Sequence, residues 1–463
     1  MRVDARLALP AVAGWAVVGV VLGLPMLLPI VAITSWVIAV LAVIFALWSG
    51  RTEHRMRYPA RWGAVAIVAL IAAVAGVLTT SATFANASRH PAVIVEAARD
   101  HRAATVTATL QAAVSPEGTG HVPVTVTSFA VGSNELRGVE VPMLLFGSLP
   151  TAGIGSAVHA TGTLVAADAG EPVAFLFFAR GTPTVASESP WYLNWANTLR
   201  STFLEASLRL GGDGGSLLPG LAIGDTSAVS TTLDAAMKAT SLSHLTAVSG
   251  ANCAVVVGLI MLGGGAIGLS RRWRVTCSLL LLAAFVVLVT PDASVLRAAV
   301  MASLVLAAVG SGRPVEGFPV LSLAVIVLLV VNPWLSRDYG FILSVLATGG
   351  LLLLSGPLTA ALSRWMPTSV AALISVPLAA QLACQPVLIL LNPAVPVFGV
   401  VANLMSEPAA PIATVIGLLA CLALIVAPPV GMLLTAFAWV PSAWIAAVAR
   451  FFDGLPGAQA PWL

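Results

Sequence analysis

Long apolar blocks dominate the chain, and most have the length that a bilayer demands. A helix needs about 20 apolar residues to cross the hydrocarbon core. On that rule helices are predicted near residues 9–25, 29–48 and 62–80, and again near 245–269, 273–290, 294–311, 318–333, 339–356, 369–391, 396–425 and 429–449. The pattern reads as a polytopic α-helical membrane protein with about eleven spans or re-entrant segments, the short block at 294–311 being the candidate for re-entry. No small-residue cleavage site separates the first block from the second, so it reads as a retained helix rather than a leader.

Between the third and fourth blocks the pattern changes. Ala104–Val114, His121–Val131, Gly138–Phe146, Ala157–Val165 and Val173–Ala179 are rich in Val, Thr and Phe, and turn clusters such as Ser115-Pro116-Glu117-Gly118 and Ala167-Asp168-Ala169-Gly170 separate them. Five strands in roughly 85 residues suit a small barrel, with the OB-fold as the natural candidate and a small β-sandwich as the alternative. Trp191, Trp195, Leu199, Phe203, Ala206 and Leu210 then fall at helical spacing, which predicts an amphipathic helix lying in the headgroup region against membrane lipid. The run Gly211-Gly212-Asp213-Gly214-Gly215 reads as a hinge. A second short helix is expected from Thr231, with Thr231 and Asp234 as a capping box and Asp234–Lys238 as an ion pair one turn apart. These boundaries divide the chain into a three-span region at 1–80, an OB-like domain at 81–190, interfacial helices and hinge at 191–242, and a membrane domain at 243–463.

Composition agrees with this class: 59% of residues are apolar and 9% charged, against about 25% charged in soluble domains. The placement of charge adds an orientation. Arg2 and Arg6 precede the first block, Arg51, Arg55, Arg57 and Arg61 separate the second from the third, and Arg271, Arg272, Arg274, Arg313 and Arg364 fall in later loops. One topology puts every cluster in the cytoplasm, with the N-terminus inside and residues 81–190 outside. That insert carries Arg89, Arg99, Arg102, Arg137 and Arg180 against eight acids, so a polyanion would gain little from it as a whole. Its phenylalanines (Phe84, Phe129, Phe146, Phe175, Phe177, Phe178) leave two readings open, a scaffold or gate and a single-strand binding surface. Cys253, Cys277, Cys384 and Cys421 all lie in apolar blocks and read as small buried hydrophobes.

Polar residues inside apolar blocks are functional candidates by default. Ser243–Cys253 opens its block with His244, Thr246, Ser249, Gly250 and Asn252. Irregular backbone survives at membrane depth only against protein or a water-filled cavity. A helix starting near Gly250 would aim free amides at a pathway, where phosphate is favoured; a tight helix–helix contact, with His244 merely interfacial, is the other reading. Arg297 sits near the end of its block, where an ion pair with Asp292 or Glu407, a phosphate contact and snorkelling all remain open. Gln381 with Gln385, and Asn403 with Glu407, lie one turn apart on common faces and suit interhelical hydrogen bonding. The chain has no Gly-x-x-x-x-Gly-Lys-Ser/Thr, no Gly-x-Ser-x-Gly, and six scattered histidines. Neither ATP hydrolysis, nor catalysis of another kind, nor a metal or other cofactor is expected.

In the order of its motifs the chain resembles the ComEC-type competence family, the inner-membrane channel of bacterial DNA uptake. The matching stretches are Ser243–Gly250 (family pattern Thr/Ser-His-Leu-x-Ala-Ile/Val-Ser-Gly), Ser294–Met301, Gly340–Ala347, and Gln381–Pro386 leading to Asn403-Leu404. The resemblance implies passage of single-stranded DNA across the bacterial cytoplasmic membrane, with pathway roles for His244, Ser249, Gly250, Asn252, Arg297 and Asn403 and polar support from Gln381, Gln385 and Glu407. It also implies an OB-like insert outside, a cytoplasmic ATP-driven translocase and an extracytoplasmic DNA receptor. The different-class alternative is a transporter for a small anionic solute or lipid head group using the same broken helix. Two departures stand out. There is no His-x-His-x-Asp-His, hence no metallo-β-lactamase-like nuclease domain, which fits a short form or a truncated piece. Glu407 stands where the family usually has an apolar residue, and a carboxylate beside a DNA path is expected to pair with Arg297.

Overall fold

The structure is a computed structural model that describes residues 6–52, 59–112, 114, 119–246, 250–289, 293–312, 316–391 and 394–461. The apolar blocks form helices because a helix satisfies its own backbone where water is absent. In chain order these are α1 (Ala8–Val21), α2 (Leu28–Thr52), α3 (Pro59–Arg89) and α4 (Ala92–Arg99), then, after the strands, α5 (Trp191–Arg209), α6 (Gly212–Ile223), α7 (Thr231–Ala239), α8 (Gly250–Ala266), α9 (Arg271–Leu288), α10 (Ala293–Gly310), α11 (Gly317–Val331), α12 (Tyr339–Leu362), α13 (Thr368–Leu391), α14 (Gly399–Ser406), α15 (Ala409–Val426) and α16 (Pro428–Asp453). Among the described residues six stretches are both long and apolar enough to cross a membrane: Pro25–Trp48, Gly63–Arg89, Tyr339–Leu362, Thr368–Leu391, Ala409–Val426 and Pro428–Asp453. The helices α1, α10 and α11, and the Cys253–Ala266 part of α8, are apolar but shorter. The block at 396–425 is not one helix. Its start is a short strand, Ala394–Pro396, followed by α14 and α15, which Pro408 separates.

Between α4 and α5 lie β1 (Ala103–Leu110), β2 (Thr119–Val131), β3 (Asn134–Ser148), β4 (Ala157–Ala166), β5 (Phe175–Ala179) and β6 (Thr184–Ser187). A strand is present near each predicted segment, and β6 is an addition. Pairing is antiparallel for β1–β2, β2–β3, β4–β5 and β1–β4, and parallel for β3–β5, so the hydrogen-bonded circuit returns to β1. Alternation places Val106, Ala108, Leu110, Val122, Val124, Val126, Met143, Leu145, Phe175 and Phe177 inside, all almost fully buried. Thr127 is the extra residue of a bulge against β1, and the register with β3 shifts at the same point, where residues 138–140 of β3 are unpaired. It reverses the parity of β2, so Phe129 faces inward although Val126 already did. Gly132, at φ 58°, supplies the positive φ of the two-residue turn into β3.

The chain forms two compact bodies, one of residues 1–112, 118–188 and 315–342 and one of residues 113–117, 189–314 and 343–463. In the first, α1 and α3 meet at Gly14, where an added Cβ would stand 2.8 Å from a Val74 methyl group. The helix α11 and the turn after it join these N-terminal helices despite the long stretch of chain between them. Trp15 Nε1 donates to the Ser336 carbonyl (2.8 Å), and Ser81 Oγ to that of Val330 (2.6 Å). Arg89 donates to the Pro172 carbonyl and lies 3.6 Å over the Trp334 ring, tying the β5 approach to the same group.

In the second body the amphipathic helix is α5. It buries Ala196, Leu199, Phe203 and Ala206 against α6 and α15, leaving Trp191 and Tyr192 exposed. The glycine run after it enters α6: Gly211 and Gly212 have positive φ at its start, and Gly214 lies within its first turn, where an added Cβ would stand 2.8 Å from that of Ala443. Asp213 in that turn pairs with Arg450 of α16. The cap of α7 is Ser230, whose Oγ accepts from the Leu233 amide (3.2 Å), one residue ahead of the expected Thr231. The Asp234–Lys238 pair forms as expected, at 2.6 Å.

Candidate polar site in the helical body

The end of α7 builds a first polar centre. Leu242 N–H donates to the Met237 carbonyl (2.8 Å) and Ser241 N–H to that of Lys238 (3.2 Å). This pair of bonds stops the helix with its penultimate residue in the left-handed region, a position that glycine usually fills. Here Ser241 occupies it, at φ 60°. Leu242 and Met237 are both buried in one apolar cluster with Leu233, Ala402 and Ile445, which holds the turn closed.

Four of the sequence-predicted residues form one network around Ser241. His244 Nδ1 lies 2.9 Å from the Ser241 carbonyl. A carbonyl only accepts, so Nδ1 carries the proton and a neutral His244 presents Nε2 as an acceptor. Asn403 Nδ2 donates to the Gly399 carbonyl (2.8 Å) and, at 3.5 Å, to that of Ser241. Ser241 Oγ donates to Gln381 Oε1 (3.4 Å), and Gln381 Nε2 to Gln385 Oε1 (2.7 Å). Gly399 permits this approach, because a Cβ there would lie 3.3 Å from that of Ser241. Among the described residues the network is left open at two points: Asn403 Oδ1 and Gln385 Nε2 are buried without a hydrogen-bond partner. Ser241 itself escapes sequence reasoning, since an isolated serine after a helix resembles any other turn residue. Its only signal is the absence of glycine at the helix stop.

Arg297 forms a second polar centre, which no hydrogen bond among the described residues joins to the first. It projects from α10 and is 6% exposed. Its Nε donates to Ser344 Oγ of α12 (2.9 Å), and Nη1 lies 3.2 Å from Met301 Sδ. The expected pairing with Glu407 does not form, and among the described residues no ion pair reaches Arg297. Glu407 instead ends α14, its amide bonded to the Asn403 carbonyl, so its side chain starts from a different helix end. The alternative partner Asp292 lies outside the described residues, as does Ser249.

Neighbours of the two centres in the chain also make contacts. The helix α8 starts at Gly250, as the sequence predicts, and Asn252 lies in its first turn, its side chain outside the described part of the structure. One turn along, Cys253 packs with Val295 and Ala298, which flank Arg297. On the other side Cys384, beside Gln385, lies 3.5 Å from the carbonyl of Leu343, the residue before Ser344. Among the described residues no group of three His, Cys, Asp or Glu side chains can hold a metal ion.

Long apolar helices combined with buried guanidinium, amide and hydroxyl groups such as those of Arg297, Asn403 and Ser406 define a multi-pass helical membrane protein. The family model described as "Competence protein" matches residues 221–463, which contain every candidate residue above. That is more than half of the chain, and the chain belongs to this family. No curated protein matches it, and no solved structure does.

Proposed function

We propose that the chain is a conduit for single-stranded DNA into the cytoplasm during natural transformation. The observation that carries this reading is Arg297: a nearly buried guanidinium, among apolar helices, held by a hydroxyl and a thioether and, among the described residues, by no carboxylate. A buried cation without a counter-ion is costly, and a passing phosphate supplies the missing charge. The start of α8 at Gly250 favours the same ligand, since a helix N-terminus attracts anions. The proposal assigns pathway roles to His244, Ser249, Gly250, Asn252 and Asn403 as well, with Gln381, Gln385 and Glu407 in support. Membership in the competence family supports a role in DNA uptake.

In this proposal the bacterial cytoplasmic membrane holds the protein, with the N-terminus inside and residues 81–190 outside. The closed circuit of strand pairings supports an OB-like barrel for that insert. The four-part division of the chain at residues 80, 190 and 242 is kept as its working domain map. A separate cytoplasmic ATP-driven translocase pulls the strand, an outer receptor delivers it, and the chain itself performs no chemistry. The test is uptake of fluorescent DNA by a deletion strain complemented with wild type or Arg297→Ala. Wild type is expected to restore entry, and the variant to lose it at equal membrane abundance. Entry without the protein would transfer the site to the small-anion reading.

A further inference from the structure

We propose that Ser241 is the positioning residue of this polar site. The inference rests on the conduit reading. Three observations carry it. First, Ser241 takes a left-handed conformation that strains a serine and not a glycine. Second, three separate elements meet at that one residue: His244 after it in the chain, Gln381 on α13, and Asn403 with Gly399 on α14. Third, each atom of its polar outline has a distinct use. The amide closes the helix stop, the carbonyl fixes the protonated nitrogen of His244 and faces Asn403, and the hydroxyl reaches Gln381. A residue needed only to end α7 would use the amide alone.

The hydroxyl acts through the two amides beyond it. By donating to Gln381 Oε1 it leaves Gln381 Nε2 to donate to Gln385 Oε1, and this orients the Gln385 amide with Nε2 free. Without the donor, Gln381 can turn over and the row of amides loses its direction. Ser241 thus sets which way Gln381 and Gln385 present their donors, while its backbone sets the imidazole tautomer of His244.

Three substitutions separate this role from a structural one. Ser241→Gly keeps the left-handed turn without strain and removes the hydroxyl. Ser241→Asn tolerates the turn and keeps a donor. Ser241→Ala keeps the strain and removes the donor. In full-length protein in nanodiscs, Gly is expected to melt at or above wild type, Asn near it and Ala below it. In DNA uptake the order changes: Asn stays near wild type, while Gly and Ala fall several-fold, the size of one lost hydrogen bond. Uptake that tracks melting temperature, with Gly the best variant, overturns the inference and leaves Ser241 a helix stop. Misfolding of the Gly variant overturns it too, since the turn would then not be left-handed. Arg297→Ala in the same assay keeps the two readings apart. If that variant loses uptake and Ser241→Gly does not, only the positioning role fails; if Arg297→Ala is silent, the conduit fails with it.

Discussion

The β insert and the surroundings of Ser241 bury opposite kinds of group. In the insert, Phe129, Phe175, Phe177, Met143 and Leu145 fill the interior and the threonines of β1 and β4 point away. The arginine there that pairs with a carboxylate in its own strand, Arg137 with Glu135, is on the surface, where it holds the Glu135 carboxyl below the ordinary range. In the helical body the buried residues include Arg200, Arg297, Asn403, Ser207, Ser278 and Ser406, and several of their polar atoms lack partners. One interior is arranged for packing. The other keeps polar groups where apolar ones would cost less to bury. Such groups either hold the fold together or serve passage, and substitution tells which.

The severest loss is expected in the insert. Phe177 is 1% exposed and lies on the short strand β5, which both β3 and β4 pair. Phe177→Ala is expected to cost about 3–5 kcal/mol, transfer and cavity terms together. Limited proteolysis under increasing urea measures it: the strands from Ala103 to Ser187 should become sensitive well before the helical body does. A loss below about 1 kcal/mol would mean that the interior is loosely packed, and the contrast with the helical body would disappear.

Next comes a polar group that the contrast assigns to the fold. Arg200 of α5 donates from Nε to the Leu288 carbonyl (2.8 Å), from Nη2 to that of Val287 (2.6 Å) and from Nη1 to Asn197 Oδ1 (2.9 Å). It thereby caps the carbonyl end of α9, where a cation is favoured. Arg200→Met keeps the volume and leaves those carbonyls unpaired in an apolar setting. The expected loss is about 1–3 kcal/mol in thermal unfolding. Lysine should recover part of it. An unchanged melting temperature would move Arg200 from the structural group to the functional one.

How legible these features were depends on the physics of each. Apolar blocks announced the long helices because length alone decides what can span, and alternation announced five strands because one face of each is buried. The break inside 396–425 was harder, since Pro396 and Pro408 sit in an apolar run that hydropathy smooths over. The glycine run 211–215 is ambiguous in sequence because glycine serves turning and close packing alike, and only the structure separates Gly211 and Gly212, which have positive φ and open space, from Gly214, which Ala443 approaches. The sixth strand, Thr184–Ser187, is short and exposed, with nothing buried to mark it. Within the site, His244, Arg297, Gln381, Gln385 and Asn403 were visible as polar residues in apolar surroundings. Their grouping was not: whether Arg297 meets Glu407 or Ser344 depends on helix packing, to which single-sequence spacing is blind.

The mildest change in stability gives the sharpest test of the contrast. Asn403 is 5% exposed, and its Nδ2 bonds the Gly399 carbonyl one turn back, which the Asn403 amide can also use within α14. Replacing it with leucine therefore strands no acceptor of consequence, and it removes the unpartnered Oδ1. Similar volume and a lifted desolvation cost, set against the lost bond to Gly399 and the long one to the Ser241 carbonyl, which His244 also serves, predict a change within about 1 kcal/mol, of either sign. For a residue that held the fold together, uptake would be equally indifferent. For a residue that faces a strand in transit, Asn403→Leu is expected to melt like wild type and to carry DNA at least several-fold more slowly. A variant both stable and fully active would return Asn403 to the ordinary polar contacts between helices, and the route would then have to be drawn through Arg297 and the start of α8 alone.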